Sequence, residues 1–235
     1  MRNYLIFDSG DSRDFCVYIS GQGTFESPVR EYNMQPVPGR NGDLIGSDTR
    51  LENMEVTYPA FIYRNFRENL RNLRSFLLSR VGYFRLEDTY HPDEYRLAVY
   101  KGGLTPEVLS RNHAGQFELT FEVKPQRWLK EGERSRTLTS TGVISNPTHF
   151  DAAPLLRVYG TGTLGIGSES VTITAANQYT DIDCDIMEAY KGTESRNSYI
   201  TLSGNDFPKL TPGDNTISLG TGITRVDITP RWWEV

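Results

Sequence analysis

The chain has 235 residues, 37% hydrophobic and 23% charged. That is enough for one large or two ordinary domains with their own cores, and too apolar for a disordered chain. A net charge of −5 and a pI near 5.3 argue against a nucleic-acid binder, which carries a basic surplus. Thirteen Tyr, eleven Phe and short runs of Val, Ile and Thr favour β structure.

The opening stretch, MRNYLIFDSGDSRD, has a three-residue apolar run followed at once by acids. This is not the pattern of a secretory signal, and no run in the sequence approaches a membrane span. Tyr4–Phe7 and Phe15–Ile19 read as short strands. Val29–Val37 reads as extended, and its distal end carries Pro36 and Pro38, which lack backbone donors and belong at a sheet edge. Two Gly/Asp-rich turns follow. Leu51–Tyr58 then places Met54, Val56 and Tyr58 on one face and Asn53, Glu55 and Thr57 on the other. The spacing predicts a hairpin with its tip around Gly39–Gly46. A solitary two-stranded ribbon is marginal in water, so its open edges need a cover.

The period then changes. Phe66, Leu70, Leu73 and Leu77 fall at helical spacing, with Asn65 and Glu68 placed as a capping box and Gly82 as the stop. The opposite face carries Arg67, Arg71 and Arg74. A solvated row bridged to acids explains them better than a phosphate stripe in an acidic chain. Strands resume at Tyr83–Glu87, Tyr95–Tyr100 and Gln116–Lys124, the last with Phe117, Leu119, Phe121 and Val123 on the inner face. The polar stretch KEGERSRTLTST marks a domain boundary. The predicted domains are 1–130 and 146–235, with 131–145 as a linker. The second half shows strand patterns and turns at the rhythm of a β-sandwich, and PRWWEV closes a core.

A search for chemistry returns no catalytic constellation. His91, His113 and His149 are scattered through loops, far from a zinc spacing. Asp181, Asp183 and Asp185 share a strand face that could hold calcium, or could simply face solvent while Ile182, Cys184 and Ile186 point inward. The glycines of GTGTLGIG fit neither a P-loop nor a dinucleotide fingerprint and read as a tight turn. Cys16 and Cys184 read as buried free thiols. No metal, cofactor or enzymatic role is expected.

Several pieces in order carry a family resemblance. They are VPGRNGDLI, the helix, FEVKPQRW, NPT at Asn146–Thr148, PLLRVYGTGTLGI, the IDCD strand, FPKLTPGDNTI and PRWWEV. Together they resemble the distal tail protein family of long-tailed, non-contractile bacteriophages. The resemblance implies a mainly β chain. Its N-terminal part would be a tail-tube-like β-sandwich or split barrel with one flanking α-helix and a long hairpin, and its C-terminal part a galectin-like β-sandwich. It implies a homo-hexameric ring at the tail tip, joined to the tail tube protein on one side and to a tail-tip or tail-associated lysin protein on the other. Receptor-binding or side-fibre proteins would sit at the periphery, and DNA would pass through an acidic lumen without specific binding. It places the oligomer interface at Pro38, Gly39, Arg40, Asn41, Gly42, Asp43 and Leu44 of the tip and at Met54, Val56 and Tyr58 of the returning strand. The alternative is a lectin-like protein that recognises host surface glycans through Tyr179, Tyr190, Trp232 or Trp233.

Overall fold

The computed structural model describes residues 2–21, 25–46, 49–109, 113–176 and 178–235. It divides into two units, Met1–Arg127 with Val235, and Trp128–Glu234. The first contains β1 (Leu5–Phe7), β2 (Gly10–Asp11), β3 (Val17–Ile19), β4 (Arg30–Glu31), β5 (Met34–Pro36), β6 (Asp43–Ile45), β7 (Arg50–Leu51) and β8 (Met54–Ile62). After these come α1 (Phe66–Leu78), β9 (Phe84–Asp88), β10 (Glu94–Val99), β11 (Glu107–Leu109) and β12 (Ala114–Val123).

The main sheet of this unit runs β2-β1-β9-β10-β12-β8-β3, with β11 beside β12. Its longest ladder joins β8 to β12 over nine residue pairs, from Met54↔Val123 to Ile62↔Gly115. The period of two then puts Val56, Tyr58, Ala60 and Ile62 on the same face as Phe117, Leu119, Phe121 and Val123, and all eight are buried. The helix lays Phe66, Leu70, Leu73 and Leu77 into this core. Each such burial contributes about 1.5–3 kcal/mol. Gly115 fits there because a Cβ would lie 2.3 Å from the Phe66 ring.

The helix ends differ from the sequence expectation. Asn65 occupies the left-handed region at φ 48 and makes no side-chain cap, so it serves as a backbone corner that Asn tolerates well. The helix stops at Leu78, closed by Ser79, whose hydroxyl donates to Phe76 O at 2.8 Å. Gly82 lies beyond this closure.

After β13 (Arg127–Leu129) the second unit holds β14 (Arg136–Leu138), β15 (Gly142–Asn146), β16 (Leu155–Gly160), β17 (Gly162–Ile166), β18 (Glu169–Ile173) and β19 (Tyr179–Asp183). It continues with β20 (Glu188–Lys191), β21 (Glu194–Ser195), β22 (Ile200–Leu202), β23 (Gly213–Leu219), β24 (Ile223–Thr229) and β25 (Trp233–Glu234). One sheet runs β14-β24-β16-β19-β20-β21 and the other β15-β23-β17-β18-β22. Leu156, Val158, Ile182, Val226 and Ile228 of the first belong to one buried cluster with Leu164, Ile166, Val171, Ile173 and Ile217 of the second. The unit is an antiparallel β-sandwich.

Residues 131–145, expected to be a linker, include β14 and most of β15, an edge strand of each sheet. Edge strands carry polar residues to blunt their exposed side, which is why the segment reads as a linker. GTGTLGIG is also more than a tight turn. The chain leaves one sheet at Gly160 and enters the other at Gly162, and a Cβ on Gly160 would lie 2.0 Å from Gly222 O. The close approach of another backbone explains the glycine.

The motifs that carry the resemblance lock turns. Asn146 is buried, donates to Phe150 O and Leu210 O, and accepts from Thr148 N and Oγ1. Asn215 accepts from Thr211 N and donates to Thr211 O and Gly213 O. Trp232 is fully buried beside Gly132, where a Cβ would lie 2.3 Å from Trp232 N.

Candidate assembly surface

Between β3 and β8 the chain makes a separate ribbon. Arg30↔Leu51 and Glu31↔Arg50 pair β4 with β7, and Met34↔Ile45, Gln35↔Leu44 and Pro36↔Asp43 pair β5 with β6. Among the described residues these four strands pair only with one another. Gly46 N donates to Asn33 O at 2.7 Å, which extends the β5–β6 pairing by one bond, and Glu52 N to Val29 O at 2.9 Å, which extends the β4–β7 pairing at the ribbon base.

The tip is a tight turn. Arg40 N donates to Val37 O at 3.1 Å, with Pro38 and Gly39 between them and Gly39 at φ 78. Proline followed by a left-handed glycine is the type II pattern. Near the ribbon base Arg50 Nε donates to Glu31 Oε2 at 2.7 Å, and this hydrogen bond raises the Arg50 pKa.

The ribbon leaves apolar side chains in solvent. Met34 and Ile45 oppose each other at 51% and 60% exposure, Tyr32 two residues earlier is 49% exposed, and Leu44 on the other face 45%. Tyr32, Met34 and Ile45 group on one face, which makes this face the candidate interaction surface.

The residues expected at the interface therefore separate. Pro38, Gly39, Arg40, Asn41, Gly42, Asp43 and Leu44 lie on or next to the ribbon tip. Met54, Val56 and Tyr58 do not belong with them. Val56 and Tyr58 are buried in the unit's own core, Tyr58 also donating to Asp88 at 2.8 Å, and Met54 packs against the same cluster. The predicted returning strand Leu51–Tyr58 breaks between β7 and β8, so its apolar face serves the main sheet. Alternation shows that a face is covered but not by what. Tyr32, Met34 and Ile45 went unnoticed as site residues. Their signal was the same alternation, and among the described residues these strands pair only with one another.

The other sequence-picked groups find structural roles. Asp181 accepts a two-pronged pair of hydrogen bonds from Arg157 at 2.7 and 2.9 Å, and Asp183 from Arg231 at 2.6 and 2.8 Å. Both carboxylates are buried, contrary to a solvent-facing row, while Ile186 is 59% exposed. Burial pushes the Asp183 pKa up, but hydrogen bonds and charge from Arg231 outweigh it and hold the carboxyl below its ordinary value. Among the described residues no group of acids, histidines and cysteines is placed to hold a metal. His91 sits against Asp88 at 3.2 Å. Burial pushes the Cys184 thiol up to about 12, which leaves it unreactive, whereas Cys16 is only half-buried.

Residues 10–123 match the family described as phage tail protein RIFT-related domain. The whole chain has the fold of a distal tail, or Dit, protein. It superposes on the crystal structure of the SPP1 Dit protein (gp 19.1), a paradigm of hub adsorption apparatus in phages infecting Gram-positive bacteria. That match has a TM-score of 0.76 over 100% of both chains at 14% identity. Chains of the phage P2 baseplate in its activated conformation match too, with TM-scores of 0.51 with Ca and 0.50 with Sr. Both cover 97% of each chain at 11% identity. No curated protein matches by sequence.

Proposed function

We propose that this chain is a tail hub of a long-tailed phage, a hexameric ring at the distal end of the tail tube. Its N-terminal units form the ring, joined to the tube protein on one side and to a tail-tip protein, such as a tail-associated lysin, on the other. Its C-terminal sandwich, read as galectin-like, offers a platform to receptor-binding or side-fibre proteins. The role is structural rather than enzymatic.

One observation carries the reading. The ribbon from Arg30 to Leu51 has no partner strand among the described residues of its own chain, and it leaves Tyr32, Met34 and Ile45 in water. A neighbouring copy that covers it removes that apolar surface, and a closed ring leaves no ribbon bare. The hub role of the SPP1 protein supports the same reading through the shared fold.

Excising Gly39–Gly46 tests it. The expected product is a folded monomer by light scattering, with the parent's unfolding midpoint. A shortened chain that still forms rings would count against the proposal.

A glycan-binding sandwich is the second reading. A pocket of about 180 Å³ on the six-stranded sheet brings together Arg157, Asp181, Asp227 and Thr229, with Tyr179 beside Arg157. Trp232 leaves the candidate list because it is buried, and Trp233 because it stacks on Phe150 with centroids 4.3 Å apart. A glycan array with the Arg157→Ala control decides this reading, and a blank array rejects it.

A further inference from the structure

The helix of the first unit carries three arginines without partners, in a unit that pairs several others. Arg13 meets Asp11, Arg50 meets Glu31, Arg80 meets Asp8 and Arg85 meets Glu87. Arg67, Arg71 and Arg74 are exposed and make no ion pair with a described residue, so the row is not bridged to acids as its sequence suggested. Glu68, the one acid of the helix, does not pair with them either. Like charges three and four residues apart on a helix repel one another. No carboxylate among the described residues pairs with these three to offset that repulsion.

The row runs into apolar surface. At 3.6 residues per turn, Arg67, Arg71, Arg74 and Leu78 share one stripe, within about 60° of the helix circumference and about 16 Å long. Leu78 is 57% exposed, and Val81, just past the helix end, is 92% exposed. The stripe is therefore cationic along most of its length and apolar at its C-terminal end.

We infer that this stripe is a docking face for an acidic amphipathic helix of a second, different protein. Carboxylates at helical spacing meet the three guanidinium groups, each of which can donate two parallel hydrogen bonds to one carboxylate. An apolar residue at the end of the acidic row covers Leu78 and Val81. Antiparallel packing opposes the two helix dipoles, so the fitting sequence has Leu at i and Glu at i+4, i+7 and i+11, which is the stripe read backwards. A nucleic acid fits less well. Its phosphates use the cations but leave Leu78 and Val81 bare, and the chain carries a net charge of −5. The inference goes beyond the ring reading, which gives α1 no partner.

A labelled synthetic peptide with that Leu and Glu spacing, added to the full chain and followed by fluorescence anisotropy, tests it. The parent should bind the peptide, and binding should weaken as salt rises. R67E, R71E and R74E together should weaken it by about tenfold or more, and L78S with V81S severalfold. The triple variant should instead bind the same peptide with Lys in place of Glu, which shows that the variant is folded. Should it be unfolded by circular dichroism, R67Q, R71Q and R74Q take its place with the same expected loss. A parent that does not bind the acidic peptide at low salt overturns the inference, as does equal binding by parent and variant. A short DNA duplex that binds the parent more tightly than the peptide overturns it in favour of phosphate. Light scattering separates this face from the ring. A folded triple variant that loses the parent's oligomeric state makes the stripe a contact between copies, and the inference is then wrong while the ring stands. A monomeric parent that binds the peptide keeps the inference and overturns the ring.

Discussion

The β8–β12 ladder and the ribbon are both antiparallel pairings within one unit, built from similar residues. In the ladder, Val56, Leu119 and Phe121 are wholly buried under α1 and the rest of the core. In the ribbon, Met34 and Ile45 oppose each other just as directly, yet more than half of each side chain lies in solvent. Hydrogen-bonded pairing is therefore not what separates them. The difference is a covering layer, which the ladder finds in its own chain. On the proposed ring reading, the burial the ribbon lacks is completed by association.

Substitutions can break this comparison. The largest effect is expected in the ladder. Phe121 touches Phe7, Tyr58 and Tyr100, with ring centroids 5.1, 6.3 and 5.6 Å away. Phe121→Ala should cost about 3–5 kcal/mol in denaturant unfolding of this unit. A loss under 1 kcal/mol would mean the ladder is not the sealed core described here.

A smaller effect is expected in the sandwich, where the cover is ionic. Asp183→Asn strips the half-buried Arg231 of its carboxylate and should cost about 1.5–3 kcal/mol, as a charged hydrogen bond does. Because the folded pKa of Asp183 is depressed, its contribution is fully present above the ordinary value of 3.8. It is lost as pH falls through the lower folded value. The parent should therefore lose stability on acidification below pH 3.8 more steeply than the Asn variant. Parallel acid limbs in the two unfolding profiles would show that Arg231 does not stabilise the carboxylate.

The smallest effect on folding, and the sharpest on the comparison, is expected in the ribbon. Ile45→Ser should change monomer unfolding by less than about 0.5 kcal/mol, as an exposed site does. The same change should shift the oligomer toward monomer in light scattering. If it destabilises the monomer as a core change does, the ribbon is covered by its own chain and the contrast disappears.

Much of this molecule is legible in periodicity. Spacing of four, three and four at Phe66, Leu70, Leu73 and Leu77 marks the helix and its buried face, and alternation at Gln116–Lys124 marks the inner face of β12. The ribbon tip is legible because Pro38 and Gly39 prescribe its turn, and the order of motifs from VPGRNGDLI to PRWWEV points to the tail-protein family. These features are local, and steric rules with side-chain polarity decide them within a few residues.

What the sequence left undecided depends on residues distant in the chain. Met54, Val56 and Tyr58 have the same alternation whether they meet a neighbouring copy or the unit's own core, and only the pairing with β12 settles it. Asp181 and Asp183 look like solvent-facing acids until Arg157 and Arg231 are folded onto them. The stretch at 131–145 reads as a linker until strands from the far end of the chain pair with it. In each case the local pattern fixed that a surface or charge needs a partner, and only the tertiary structure chose which one, because burial and ion pairing are contacts in space rather than in sequence.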